Sequence, residues 1–413
     1  MYRIWYSSEG FAEYVKAKTI LVDRKVQMAK LYESDTSKPR NFHTMPDHIK
    51  QILYLDAPDI IVEYNSEPIF SIEESKEAGT GHNAFQRFAR LAASVENNVP
   101  ALYIYPEAVA IGRKTRSTST VYKWDSINPL VFKGLSSVMN IYNIPALLFY
   151  YPTDYRNYSD PTLSPHIGFK GVRYDSELDY MDCPDSSDEQ MKKLFNIIND
   201  IITTVEKHGV IKARERLLGL RSIQEQRHWM EKQYAEKGGN DDMSPLTATV
   251  KIPTSYLLNH LSKYEGDGYQ IGELLRSRPE TIVYKVDAGF RGDPYPGALS
   301  ALDYLICREG KTFEERKYNL IMCWGNLEID HVQQTIKISS SKSSIEDFVS
   351  NVQTSEDKNL LCKNYEDLRV YEIPRYYMQV RYGSMFSKNK HIRIYSYFAD
   401  AILFEDGALW RDA

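Results

Sequence analysis

Apolar and polar positions along the chain change period several times, and each change predicts an element. Residues 46–54, PDHIKQILY, have a helical spacing with Pro46 in the first turn, where its missing N–H has no helical partner to lose. IIVEY (60–64) and IFSIEES (69–75) predict two strands, with Asn65, Ser66, Glu67 and Pro68 as turn residues between them. From Asn83 to Val95 the period lengthens to that of a helix. Phe85, Phe88, Ala89 and Ala92 fall on one face, and Asn83, Gln86, Arg87 and Arg90 on another. ALYIY (101–105) is apolar enough for a strand buried on both faces. NNVPALYIYPE (97–107) is echoed by YNIPALLFYYPTD (142–154), which predicts a second helix–strand unit on the same sheet.

Beyond these, 188–236 predicts a long helical region, broken at Gly209 and bent at Gly219. Lys212, Arg214, Arg216, Arg221 and Arg227 make its second half basic, as a solvated helix face also would. KGGNDDMSP (237–245) has the composition of a linker. After it, TSYLLNHLSKY and PGALSALDYLICREG predict helices, and TIVYKVD, YNLIMCW, HVQQTIKIS and HIRIYSYF predict strands. The expected organisation is an α/β domain with a mixed sheet over 1–160, a helical region and linker over 161–240, and an α+β domain over 241–413.

Composition narrows the class. A chain of 413 residues exceeds one ordinary core, in agreement with more than one domain. With 42% apolar and 26% charged residues it has the balance of a soluble globular protein. It holds no apolar run long enough to span a membrane, and MYRIWYSSEGF lacks the basic-then-apolar order of a signal peptide. Cys183, Cys307, Cys323 and Cys362 are far apart with no CxxC pair, which argues against a zinc ribbon or a disulfide framework and fits a reducing cytoplasm. The net charge of −5 counts mildly against a nucleic-acid binder, although local patches matter more than the sum. Two such patches are the basic stretches 113–123 and 375–393, the second interleaved with aromatics.

The candidate chemistry lies in PDIIVEYNSEPIFSIEESKEAGTGHN (58–83), which gathers Asp59, Glu73, Glu74 and Lys76 at the ends of two apolar strands. Carboxylates brought together this way repel unless a cation lies between them, and hard oxygen ligands favour magnesium. A metal there can activate water and stabilise charge on a phosphoryl oxygen, and a nearby lysine can support the developing negative charge. Which acid joins Asp59 depends on the hairpin. A four-residue turn sets Asp59 opposite Glu74, and a three-residue loop sets it opposite Glu73. The burial pattern favours the second arrangement, with Phe70 and Ile72 beneath the helix while Glu73 and Ser75 face the site. Gln86 and Arg87 are candidates for positioning a phosphate or the attacking water. Charged hairpin ends also occur on ordinary surfaces, where they protect edges.

Pro58-Asp59, an acid at 73 or 74, and Lys76 resemble the signature of PD-(D/E)xK nucleases, and the helix TGHNAFQRFAR (80–90) is similar to the polar helix that follows the motif strand in that family. The resemblance covers roughly residues 40–110. It departs from the family pattern in that Glu73, not an apolar residue, precedes Glu74, while reading Glu73 as the motif acid sets Ser75 where lysine belongs. It implies a restriction-endonuclease-like core, with Asp59 and Glu73 or Glu74 as Mg²⁺ ligands and Lys76 assisting the water or the transition state. The implied activity is magnesium-dependent hydrolysis of double-stranded DNA, sequence-specific in the manner of type II restriction endonucleases. The basic stretches would hold the DNA. Cutting both strands implies a homodimer, and the cysteine usage and lack of an apolar span add a cytoplasmic location with no membrane partner. The alternatives are a repair or recombination nuclease that reads DNA structure, and a non-catalytic nucleic-acid-binding protein.

Overall fold

The computed structural model describes residues 1–31, 45–76, 85–115, 119–239, 249–265, 271–286, 294–341, 344–345, 394–395 and 397–410. The protein is mixed α/β and divides into two compact units. The first comprises Met1–Glu33, Met45–Ile52 and Ala57–Met243, and the second is built on Leu53–Asp56 and Ser244–Ala413. Residues 161–240 thus belong to the same body as the N-terminal sheet.

In the first unit the chain runs β1 (Tyr2–Tyr6), α1 (Glu9–Ala17), β2 (Val26–Lys30), α2 (Asp47–Leu53), β3 (Ile60–Tyr64), β4 (Glu67–Glu74), α3 (Phe88–Glu96) and β5 (Ala101–Pro106). It continues through β6 (Ala108–Lys114), β7 (Thr120–Ser126), α4 (Leu130–Tyr142), β8 (Ala146–Tyr151), α5 (Glu189–His208), α6 (Val210–Leu217) and α7 (Arg221–Glu236). Six strands form one sheet in the order β2-β1-β3-β4-β5-β8. β1, β3 and β4 are antiparallel neighbours, whereas β4, β5 and β8 run parallel, so their carboxyl ends share one edge. The helix, strand, strand, helix, strand order expected from residue 46 onward is present, and the echoed segment forms β8 beside β5. β1, α1 and β2 were not among the expected elements.

The β3–β4 hairpin departs from both expected turns. Asn65 and Ser66 alone form the loop, both at positive φ (51° and 66°), as a two-residue type I′ connection requires. Glu67 and Pro68, expected in the turn, lie in β4. A bulge between Val62 and Glu63 restores the register, with Ile69 as the extra residue, so that Ile60 pairs with Ile72. Extended by one step, that register sets Asp59 opposite Glu73.

Both faces of β4 and β5 are covered. α3 lies on the face that carries Ser71 and Glu73, where Ser71 Oγ donates to Ser94 Oγ over 2.8 Å. The expectation that Phe70 and Ile72 lie beneath this helix is therefore corrected: side chains alternate along a strand, and the small polar pair lets α3 approach from the other side. Every residue of β5 and β8 is buried, and each large aliphatic side chain among them contributes about 1.5–3 kcal/mol. Gly209, at φ 73°, joins α5 to α6, the break expected there.

The second unit carries a five-stranded sheet, β15-β14-β11-β10-β9. It is formed by β9 (Thr249–Pro253), β10 (Glu280–Lys285), β11 (Asn319–Cys323), β14 (Ala401–Leu403) and β15 (Ala408–Trp410), with a separate hairpin of β12 (Asn326–Asp330) and β13 (Thr335–Ser339). Its helices are α8 (Thr254–Leu261), α9 (Glu273–Ser277) and α10 (Pro294–Leu302). Leu257, Leu261, Val283, Ile321, Ile336 and Trp410 are part of its core. Arg316 is fully buried between Asp303 (2.8 Å) and Asp400 (2.9 Å), a pairing that keeps three desolvated charges tolerable. The strand expected over HIRIYSYF is corrected, since Ile394-Tyr395 and Tyr397-Phe398 are helical. The basic stretch 375–393 lies outside the described residues.

Candidate active site

β4 delivers two adjacent acids to the carboxyl edge of the first sheet, and alternation sends them to opposite faces. Glu73 turns towards α3. Its side chain is 0% exposed; Arg90 Nη1 donates to its Oε1 over 2.8 Å, and Arg87 Nε lies 3.3 Å from the same oxygen. Glu73 Oε2 has no hydrogen-bond partner among the described residues. Burial pushes the Glu73 carboxyl up to about 8; Arg90 pulls against that shift, the charge of Asp59 adds to it and Arg87 opposes it. Arg90, expected on a polar helix face, is buried for this purpose, whereas Arg87 keeps 28% of its side chain exposed.

Glu74 points to the other side, where its charge reaches the Tyr14 and Tyr151 hydroxyls and the Cys183 thiol. Asp59 Oδ2 accepts the backbone N–H of Glu74 over 2.7 Å, which ties the start of β3 to the end of β4. Two residues further on, Lys76 brings its Nζ to 4.0 Å from Glu74 Oε1 and sets it over the Tyr174 ring, 5.5 Å from the centroid. Glu74 Oε1 is buried and accepts no hydrogen bond from the described residues. Burial drives the Glu74 carboxyl up to about 8; Lys76 counters it, and the charges on Asp59 and Glu73 reinforce it. A carboxyl in that position stands to gain from a cation.

The sequence candidates thus divide. Asp59 binds the Glu74 N–H and its charge reaches both acids, Glu74 meets Lys76, and Glu73 and Arg87 form an ion-paired group with Arg90 beneath α3. Gln86 lies in the turn before α3. Among the described residues no group of three or more His, Cys, Asp or Glu side chains is arranged to hold a metal. Magnesium keeps several waters and commonly takes one or two protein carboxylates together with substrate phosphate, so fewer than three acids are compatible with it. Glu74 Oε1, buried without a hydrogen bond from the described residues and 4.0 Å from Lys76 Nζ, is the acceptor such an ion would meet.

Tyr174 and Tyr151 were missed by sequence reasoning. Tyr174 reaches Lys76 from a loop about a hundred residues downstream, with no local signal to announce it. Tyr151 also lines a cavity of about 430 Å³ beyond the end of β8, with Arg156, Arg173, Lys193 and Trp229. Three cations of that cavity are already paired: Arg156 with Glu107, Arg173 with Asp188, and Lys193 with Glu189. Among the described residues no helix is long and apolar enough to cross a membrane. Comparison with protein-family models, with curated proteins and with solved structures finds no match.

Proposed function

We propose that the chain is a magnesium-dependent endonuclease of double-stranded DNA, sequence-specific in the manner of type II restriction enzymes and acting as a cytoplasmic homodimer. The observation that carries this reading is the meeting of Asp59, Glu74 and Lys76 at the carboxyl edge of a mixed sheet, with Asp59 fixed to the Glu74 backbone. Asp59 and Glu74 would hold Mg²⁺; Glu73, already engaged by Arg90, would not. When bound there, Mg²⁺ would supply Lewis acidity to the phosphodiester and to the attacking water. Lys76 lies beside Glu74 and stabilises negative charge as it grows on the phosphoryl oxygens. Arg87, oriented by Glu73 and partly exposed, suits a phosphate oxygen of the same strand.

The test is incubation of the full chain with long methylated and unmethylated duplex DNA, with Mg²⁺ and in parallel with EDTA. Discrete, metal-dependent fragments that disappear with Asp59→Ala support the proposal. A smear points instead to an enzyme that reads DNA ends or structure, and intact DNA on every substrate overturns catalysis.

A further inference from the structure

β6 and β7 form a two-stranded ribbon outside the main sheet, paired from Ala108↔Ser126 to Lys114↔Thr120. Its outer half is exposed, including Arg113, Lys114, Tyr122 and Lys123. Cross-strand partners share a face, so Arg113, Val121, Ile111 and Lys123 lie on one side and Lys114, Thr120 and Tyr122 on the other. Arg113, Lys114 and Lys123 form no ion pair with any described residue, and the sequence has no acid between Ala108 and Trp124 although the chain is net −5. The β12–β13 hairpin shows the usual alternative, with Glu328 directly opposite Lys337. The one acid of the ribbon, Asp125, lies at its base opposite Val109, and the outer half carries none.

The ribbon is also aimed. Trp124 Nε1 donates to Tyr158 O over 2.8 Å, and Ala110 N–H donates to Lys170 O over 2.9 Å. Gly171 (φ 77°) admits the Trp124 ring where a Cβ would come within 2.6 Å of it. At Gly112 a Cβ would lie 3.0 Å from the Tyr122 ring, so the ring lies close over the neighbouring strand. Val121 and Tyr122 remain 41% and 39% exposed despite this anchoring. β6 leaves the sheet just after β5, at the edge where Ser75 N–H bonds Ile104 O and where Glu74 and Lys76 emerge.

From this geometry we propose that the β6–β7 ribbon inserts into the major groove of duplex DNA, with Arg113 and Lys123 on one face and Lys114 on the other. The inference rests on the nuclease reading for its substrate. A B-form major groove about 12 Å wide admits a two-stranded ribbon, its edges present acceptors to arginine and lysine, and thymine methyls present an apolar contact to Val121 or Tyr122. A-form RNA has a major groove too deep and narrow to be read this way, so the occupant is DNA.

The test measures binding of the full chain to duplex DNA in EDTA, where no cleavage occurs, together with dimethyl sulfate footprinting. The expected result is protection at guanine N7, in the major groove, without protection at adenine N3, in the minor groove. Substituting Arg113→Ala, Lys114→Ala and Lys123→Ala together removes exposed side chains only, and an unchanged thermal midpoint verifies folding. The triple variant is expected to lose tenfold or more in affinity, to lower the slope of log K against log salt by about 2–3, and to lose N7 protection. Unchanged affinity and slope, protection at adenine N3 alone, preference for duplex RNA, or no DNA binding would each overturn the inference. DNA protected at N7 but left uncut with Mg²⁺ would instead overturn the nuclease reading and leave the ribbon in place.

Discussion

Arg90 Nη1 donates to Glu73 Oε1 over 2.8 Å with both side chains buried, and it is the largest compensation for the desolvation of Glu73. Truncating Arg90 leaves a buried carboxyl without its main hydrogen-bond donor. Arg90→Ala is expected to destabilise the protein by about 3–5 kcal/mol. Joint replacement by apolar residues, Arg90→Leu with Glu73→Leu, should recover much of that loss. Urea unfolding of the two variants checks it; a double variant no more stable than Arg90→Ala would refute the pairing argument.

The division of labour between adjacent acids gives a second prediction. Glu74→Gln and Asp59→Asn should each lower cleavage by about 10²–10³-fold, the scale of losing one preorganised electrostatic partner, while DNA binding persists. Glu73→Gln keeps a hydrogen-bond acceptor for Arg90 and should retain far more activity than Glu74→Gln. Single-turnover cleavage at saturating enzyme reads the difference. The reverse ranking would favour Glu73 as the catalytic carboxylate.

The frame of the candidate site was legible in the sequence, because the strands, the following helix and their order are written in local periodicity and in turn residues. The choice between Glu73 and Glu74 was not. Alternation identifies a strand's inner face only when the other face is wet, and β4 is buried from Pro68 to Glu73 on both sides. The bulge at Val62/Glu63 added a second ambiguity, since a two-residue turn and one extra residue yield the register of a three-residue loop. Basic residues on 113–123 were visible as composition, yet nothing local marked them as a hairpin, because its anchors Tyr158, Lys170 and Gly171 lie far along the chain. Likewise, Arg214 was expected on a solvated helix face, but its Nη2 donates to Pro68 O over 3.0 Å.

Gly171 offers a test of the ribbon's anchoring that leaves its charges intact. The residue takes φ 77°, and a Cβ there would meet the Trp124 ring at 2.6 Å. Gly171→Ala therefore combines left-handed backbone strain with displacement of a large side chain, together about 1–3 kcal/mol. The expected effect is concentrated at the base of the ribbon. Hydrogen exchange should accelerate at Ala110, whose N–H bonds Lys170 O, before it changes in β5. Uniform acceleration across the sheet would mean that the ribbon is not separately anchored.

His260 supplies a pH dependence in the second unit. Its Nδ1 lies 2.8 Å from Ile336 O, and because a carbonyl only accepts, the proton sits on Nδ1. Nε2 is buried without a hydrogen-bond partner among the described residues. Burial pushes the imidazole down to about 4, and the Lys263 charge pushes the same way, against the bond to Ile336. The folded pKa lies below the unfolded value near 6.5, so on acidification the unfolded chain takes up the proton first. The neutral ring's contribution is thus complete above about pH 6.5 and is lost as pH falls towards 4, on the order of 3 kcal/mol. Carboxylates titrate over part of the same window, so the informative quantity is the difference between the wild type and His260→Asn, which cannot charge. The unfolding free energy of the wild type should fall more steeply than that of the variant between pH 6.5 and 4, and parallel profiles would show that His260 titrates as it does in water.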